Sequence, residues 1–86
     1  MVLNNYAYFL ALKNQDLDKA LEMSTKAIAL EPDNPTYLDT HAWVLYTKGD
    51  YKEAEKHMKK ALKLLKEPTK EYRDHYDAIM NKLEKN

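Results

Sequence analysis

The sequence predicts an all-α protein, an antiparallel array of helix hairpins (an α-solenoid) with about five helices. The main observation is an internal repeat: shifting the chain by 34 or 35 residues places apolar positions on apolar positions. Ala20 then meets Ala54, and Leu10 meets Leu45. Within each copy, apolar residues recur at spacings of three and four, the period of an amphipathic helix. Self-similarity at this length is typical of helical repeat arrays.

The composition limits the possible function classes. The chain has 86 residues, enough for one small domain, and contains no cysteine, so disulfides and cysteine zinc sites are excluded. Acidic and basic residues number 14 each, which argues against a general polyanion binder. No apolar run approaches the roughly 20 residues that span a bilayer, so no membrane partner is expected. The first five residues lack the basic start of a signal peptide and open directly on a helix pattern, which suggests a piece of a larger protein.

A first hairpin is predicted over about residues 1–33. Its leading helix covers about residues 2–13, and Asp16 is a suitable N-cap for the second helix. Pro32 ends that helix, since proline lacks an amide donor and disfavours helix in the residue before it. This hairpin carries Ser24, a small polar residue, inside an otherwise apolar stripe.

A second hairpin is predicted over about residues 34–67. Asn34 stands before a proline, which is a favourable N-cap and first-turn pair. Gly49 fits the left-handed position that follows a helix, and Asp50 is suited to cap the fourth helix. That helix is expected to end near Lys66.

A fifth helix is predicted over about residues 69–85 as a C-terminal cap. At a further shift of 35, Tyr72 and Ile79 retain the apolar face that packs on the preceding hairpin. The positions that would pack on a following helix have become Arg73 and Asp77. Terminal repeats of solenoids need such a polar outer side for solubility.

Together the two hairpins resemble the tetratricopeptide repeat (TPR) family, whose pattern mixes large and small apolar residues around a glycine-containing turn. The second hairpin supplies Leu38, His41, Ala42, Leu45, Gly49, Tyr51, Ala54, Met58 and Ala61. The first supplies Leu3, Tyr6, Ala7, Leu10, Leu17, Ala20, Ala27 and Pro32. The first departs from the pattern at Ser24 and in its inter-helix turn, which lacks glycine. The resemblance implies two repeats plus a capping helix. Independently of the family, alanines within large apolar stripes predict close helix crossings.

The resemblance also implies a concave groove, lined by the leading helices, that usually holds a peptide of another protein. The corresponding positions are Asn4, Tyr8, Leu12, Asp39, Trp43, Tyr46, Thr47, Asn81 and Lys82. Tyr8 and Trp43 are the expected anchors, since aromatic residues dominate binding hot spots. The alternative for Trp43 is packing between neighbouring helices. The lysine and asparagine clamp with which some family members hold a terminal carboxylate is absent, which disfavours a receptor for chaperone tails.

The N-terminal end of the array offers a second interface. Val2 and Phe9 occupy the positions by which later leading helices dock on a preceding hairpin. An uncovered apolar end of this kind predicts docking on an upstream repeat or on another copy of the chain. The alternative is a solvated, fraying first helix. The predicted function is therefore a protein–protein interaction scaffold, and the competing interpretation is a structural module that self-associates into a homo-oligomer.

No residue pattern indicates an enzyme, a metal site or a cofactor. His41, His57 and His75 lack the spacing of a helical metal pair; His41 is expected in the core and the other two on the surface. Lysines line much of the fourth helix, but glutamates interleave with them, so nucleic-acid binding is not favoured. The only serine, Ser24, lies inside a helix stripe with no basic partner at hand, and no catalytic constellation can be composed.

Overall fold

The computed structural model describes residues 2–85, with side chains described from Asn4 onward. Its five helices are α1 (Val2–Lys13), α2 (Leu17–Leu30), α3 (Pro35–Lys48), α4 (Tyr51–Leu64) and α5 (Lys70–Lys85). The described residues form no β-strand. The prediction of an all-α helical repeat array is confirmed. None of these five helices, as described, combines the length and apolar character that crossing a bilayer requires.

The helices pack in the order of a hairpin array. Each helix contacts the next one along the chain, and α3 also contacts both α1 and α5. Within the described residues, no Cα atom of α2 lies within 8 Å of a Cα atom of α4. The leading helices α1, α3 and α5 therefore lie side by side, whereas the following helices diverge. This curvature places the concave side of the array on the leading helices.

Small residues at the helix crossings let the helices approach closely. The alanines at equivalent positions of the two hairpins are completely buried: Ala7, Ala20, Ala42 and Ala54. Large side chains from α3, α4 and α5 fill the space around the second pair: Leu38, Leu45, Met58 and Ile79. Alternation of alanine with large apolar residues gives the dense packing of a protein interior.

The second hairpin uses the helix-end signals that its sequence predicts. Asn34 Oδ1 accepts hydrogen bonds from two amides in the first turn of α3, at 3.0 and 3.2 Å. Gly49 has a φ of 95°, and the amide of Asp50 donates to the carbonyl of Leu45 at 2.9 Å. Asp50 also accepts from the amide of Glu53 at 3.4 Å, at the start of α4. The turn is thus fixed by a left-handed glycine and a capping aspartate.

The first inter-helix turn departs from the prediction. Asp16 precedes α2, but its side chain caps no amide and its φ of 46° lies in the left-handed region. Asn14 also has a positive φ, 54°, and the amide of Gln15 donates to the carbonyl of Leu10 at 3.0 Å. The equivalent bond in the second hairpin, 35 residues later, is the one from the amide of Asp50 to the carbonyl of Leu45, directly after Gly49. Asn14 therefore takes the position of the glycine, and the left-handed backbone at Asp16 replaces the extended geometry of an N-cap.

Helix ends differ slightly from the sequence pattern. α4 ends at Leu64 rather than near Lys66, and the following residue Leu65 has an extended backbone with φ −95° and ψ 130°. Pro68 lies shortly after this point, and proline disfavours helix in the residue that precedes it. Helix boundaries commonly shift by one or two residues in this way.

Candidate functional site

A cleft of about 170 Å³ opens between the three leading helices. Polar groups of α1, α3 and α5 line it, and the six on which the chemistry depends are Asn4, Tyr8, Thr36, Asp39, Glu71 and Tyr72. We call the part formed by Asn4, Tyr8, Asp39 and Glu71 the acceptor cleft. It exists because α1, α3 and α5 pack side by side and each points one turn of polar residues toward the same space.

Side-chain hydrogen bonds join α5 to both other leading helices, and one of them lies between Thr36 Oγ1 of α3 and Tyr72 Oη of α5 at 3.1 Å. Tyr8 Oη donates to Glu71 Oε1 at 2.9 Å, which links α1 to α5. His75 Nδ1 lies 2.8 Å from Asp39 Oδ1, which links α5 to α3. Because a carboxylate only accepts, Nδ1 carries the proton in this bond. Nε2 of the same imidazole then faces Tyr8 Oη at 3.5 Å.

The electrostatics of the cleft act on Tyr8. Burial raises the pKa of its hydroxyl well above the usual value, and the hydrogen bond to Glu71 together with the charges of Glu71 and Asp39 raises it further. Tyr8 therefore stays neutral and remains a hydrogen-bond donor across the ordinary pH range. The carboxylates of Glu71 and Asp39 make the cleft a region of negative potential.

Asn4 has an unusual position in this cleft. Its side chain is only 3% exposed, yet Oδ1 has no hydrogen-bond partner within the part of the chain that the structure describes. Buried side-chain acceptors are nearly always paired, and leaving one unpaired costs about 1–3 kcal/mol. Among the described residues, Asn4 Oδ1 is the one buried side-chain nitrogen or oxygen atom without a hydrogen-bond partner.

Trp43 lies next to the acceptor cleft in a stack of aromatic rings. Its ring centroid lies 4.5 Å from that of Tyr46 and 4.1 Å from that of His75, with interplanar angles of 18° and 21°. Thr47 Oγ1 donates to the carbonyl of Trp43 at 2.8 Å. Through this stacking, Trp43 of α3 supports the imidazole of His75. The tryptophan is half-buried, so part of its surface stays accessible.

The structure distributes the predicted groove residues over three environments. Asn4, Tyr8 and Asp39 line the acceptor cleft, with Asn4 and Asp39 buried. The half-buried members outside the cleft lining are Trp43, Tyr46 and Thr47. The exposed members outside it are Leu12, Asn81 and Lys82.

Glu71, Tyr72 and the role of His75 were not predicted from the sequence. His75 was expected on the surface, but it is only 8% exposed, because it bonds Asp39 and stacks on Trp43. A signal existed in the repeat itself. Continuing the shift of 35 into the capping helix places Glu71 on the position of Thr36, in the first turn of α3.

Three residues of this region could hold a cation. Donor atoms of Asp39, Glu71 and His75 all lie within 4.8 Å of one another. Within residues 2–85, no other group of three or more histidine, aspartate or glutamate side chains brings its donor atoms this close together. One imidazole and two carboxylates form a donor set that transition metals accept, although Asp39 and His75 already bond each other.

A second polar pair is buried between the hairpins. Ser24 Oγ lies 2.7 Å from His41 Nδ1 and donates to the carbonyl of Leu21 at 3.1 Å. The expectation that Ser24 has no basic partner is therefore wrong, since His41 comes from the next hairpin. Both side chains are buried, Ser24 completely, so the pair is shielded from any substrate and has a packing role.

The predicted end interface lies on the face of α1 that points away from the core. Phe9 is 50% exposed, and its ring stacks on the exposed Tyr6 with a centroid distance of 6.4 Å and an interplanar angle of 12°. The side chain of Val2, the other predicted member, lies outside the described residues. The surface therefore consists of two adjacent aromatic rings on one helix.

Comparisons with known proteins agree with this architecture. The family model "Tetratricopeptide repeat" matches residues 1–67 of the chain. The chain is also similar to the TPR repeat-containing protein PA4667 of Pseudomonas aeruginosa, with 37% identity over 62 residues. This match covers 72% of the chain and 10% of the relative, so the chain spans a small part of that protein's length. No solved structure matches the chain.

Tetratricopeptide repeats generally mediate protein–protein interactions. Domains of this kind typically bind other proteins or peptides, and proteins of the family are typically non-enzymatic scaffolds. The helix pattern, the hairpin packing and the match over residues 1–67 lead to one conclusion: the chain belongs to the tetratricopeptide repeat family.

Proposed function

We propose that this chain is a scaffold that binds a peptide or an extended segment of a partner protein along its concave side. The observation that carries the proposal is the acceptor cleft between α1, α3 and α5, with polar groups that converge from three helices. Binding sites combine a concave shape with a few convergent polar groups, and this cleft has both.

Aromatic side chains support the same proposal. Tyr8 lines the cleft, while Trp43 lies beside it as a half-buried residue. Rigid aromatic residues provide a large contact area at low entropic cost, which is why they are enriched at binding hot spots. Leu12 extends this surface along α1 as an exposed apolar side chain.

A random peptide library selected on the immobilised chain tests the proposal. Selected peptides should then be titrated against the soluble chain, with Trp43, its single tryptophan, as the fluorescent reporter. We expect saturable binding that changes the emission of Trp43. The proposal fails if no peptide is enriched, or if enriched peptides bind without perturbing any leading helix in an NMR titration.

Two exposed leucines offer a matched pair of variants. Leu12 is 61% exposed on the leading helix α1, and Leu30 is 66% exposed at the end of α2. Leu12→Ser should weaken peptide binding several-fold, because about 1 kcal/mol of binding free energy from apolar contacts is lost. Leu30→Ser should leave binding unchanged. Equal effects of the two substitutions would place the peptide elsewhere.

Self-association is the second candidate function, and the stacked pair Tyr6 and Phe9 favours it. Exposed apolar surface at the end of a repeat array can dock on another copy of the chain. Light scattering at increasing concentration should then report a mass above that of the monomer. Phe9→Glu should restore the monomer, whereas Leu30→Glu should not. A monomeric mass at high concentration that Phe9→Glu leaves unchanged would remove this candidate.

We further propose that the chain forms a single domain within a larger protein, with repeats over about 1–33 and 34–67 and a capping helix over about 69–85. Ile79 of the capping helix is completely buried among residues of the second hairpin. Deleting the capping helix should therefore expose that cluster and lower the midpoint of thermal unfolding. An unchanged midpoint would contradict the capping role.

A further inference from the structure

The acceptor cleft carries more negative charge than its own side chains neutralise. Asp39 and Glu71 contribute two carboxylates, and no lysine or arginine is among the described residues that line the cleft. Even a protonated His75 beside it would leave one net negative charge. His75 engages one oxygen of Asp39, and Tyr8 engages one oxygen of Glu71. Because a carboxylate offers about four lone-pair sites, both groups can accept further hydrogen bonds.

Asn4 is an independent indication that a ligand belongs in this cleft. Its side chain is almost completely buried, it lines the same space as the two carboxylates, and its Oδ1 has no partner within residues 2–85. A buried acceptor without a partner is unfavourable, and a donor from a ligand would remove that cost. The position of Asn4 therefore indicates a hydrogen-bond donor as the missing partner.

An arginine side chain fits these acceptors better than a metal ion. A guanidinium group carries five N–H donors in a planar fork, so it can satisfy several acceptors at once, and its flat face stacks on aromatic rings such as Tyr8. A metal would compete with the existing bond between His75 Nδ1 and Asp39 Oδ1. N–H donors can use the remaining lone pairs and leave that bond intact.

We propose that the acceptor cleft binds an arginine side chain of the partner peptide. The inference rests on the proposed function, since the cleft lies on the concave side where the peptide is placed. The guanidinium forms charge-assisted hydrogen bonds with Glu71 and Asp39 and donates to Oδ1 of Asn4. Peptides that enter this groove therefore carry an arginine at the position that faces the cleft.

N-acetyl-arginine amide is a suitable probe for the cleft alone. It should be titrated into the isotope-labelled chain while NMR follows the side-chain amide of Asn4 and the signals of Glu71 and His75. N-acetyl-citrulline amide has nearly the same shape but no charge, and it serves as the matched control. We expect saturable shifts with the arginine probe and binding weaker by about tenfold or more with citrulline.

A pair of glutamate variants on α5 localises the effect. Glu71→Gln removes one carboxylate charge at an exposed position while keeping the shape of the side chain, and should weaken the arginine probe about tenfold. Glu84→Gln removes an equal charge from an exposed position further along the same helix and should leave binding unchanged. Equal losses in both variants would indicate only a general charge effect and would overturn the proposal.

The outcomes separate this inference from the proposed function. Equal binding of the two probes, no binding of the arginine probe, or Zn²⁺ that shifts the same signals without arginine competition would overturn the arginine site. Selected peptides that lack an arginine and tolerate Glu71→Gln would overturn it while leaving the peptide-binding function intact. If the library yields no peptide, the proposed function fails, and the amide titration alone decides the chemistry of the cleft.

Discussion

The two hairpins share one backbone plan but stabilise it differently. The second hairpin contains Met58, completely buried in a cluster with Leu38 and Leu45, and it turns at a glycine. The first hairpin has Ser24 at the position equivalent to Met58 and turns at Asn14. A repeat can thus lose a large core residue and its glycine without losing its fold, provided that other groups take over their roles.

The group that compensates for Ser24 comes from the next repeat. His41 of α3 lies against Ser24 of α2, so the interior of the first hairpin is completed by a polar contact across the boundary between the hairpins. Cooperation between neighbouring repeats of this kind is the reason that solenoid stability depends on interfaces as well as on single repeats. Substitutions at matched positions of the two hairpins therefore measure how far their stabilisation differs.

The largest effect is expected from truncation of the apolar core in the second hairpin. Met58→Ala should lower the free energy of unfolding by about 2–5 kcal/mol, because a completely buried side chain leaves a cavity. Ser24→Ala, the matched change in the first hairpin, should cost less, about 1–3 kcal/mol, through the unpaired His41. Urea denaturation measures both values. A smaller loss for Met58→Ala than for Ser24→Ala would reverse the comparison.

The His41 contact should make the stability of the chain depend on pH. Burial lowers the pKa of His41 from 6.5 to about 4, with a further contribution from the neighbouring His57, whose own pKa burial also lowers. Between these pH values the unfolded chain binds a proton that the folded chain does not, so stability is complete above pH 6.5 and decreases as pH falls toward 4. The loss is up to about 3 kcal/mol, at about 1.4 kcal/mol per pKa unit.

Denaturation at a series of pH values in this window tests the prediction. The variant His41→Gln retains a polar partner for Ser24 but cannot titrate, so its stability should change much less between pH 6.5 and pH 4.5. If the native chain and the variant follow parallel curves, His41 is not the group responsible.

A third test compares the helix crossings. Ala54→Leu should overpack the crossing of α3 and α4 and destabilise the chain by about 1–3 kcal/mol, because Ala54 has no exposed surface. Ala20→Leu is the same change in the first hairpin, where Ala20 is equally buried. Thermal unfolding of both variants measures which crossing has more room. An unshifted midpoint for Ala54→Leu would contradict the packing assigned to it.

The smallest effects are expected at the two turns. Gly49→Ala should cost about 1 kcal/mol, purely through the backbone, since φ is 95° and an added Cβ meets no atom within 4 Å. Asn14→Gly should stabilise the chain by less than about 1 kcal/mol, because asparagine tolerates the left-handed region but glycine adopts it without strain. Opposite signs for the two changes are the expected result. A loss of stability for Asn14→Gly would mean that the asparagine side chain itself contributes.

The local elements follow directly from the sequence. Asn34, Gly49 and Asp50 cap and end their helices as predicted, because these signals act through bonds within a few residues. Asp16 does not cap α2, because its own backbone is left-handed rather than extended, in a turn where Asn14 is left-handed as well. Spacing alone could not reveal that a turn without glycine would still use the geometry of the glycine turn.

The sequence by itself determined the helix pattern, the repeat period and the family, since amphipathic spacing and buried alanines are properties of positions along the chain. Only the tertiary structure decided the chemistry of the acceptor cleft. Asp39 and His75 are 36 residues apart, and Tyr8 and Glu71 are 63 residues apart, so neither bond could be read from local spacing. They meet because three leading helices pack side by side, and the relative rotation of packed helices is set by the whole core.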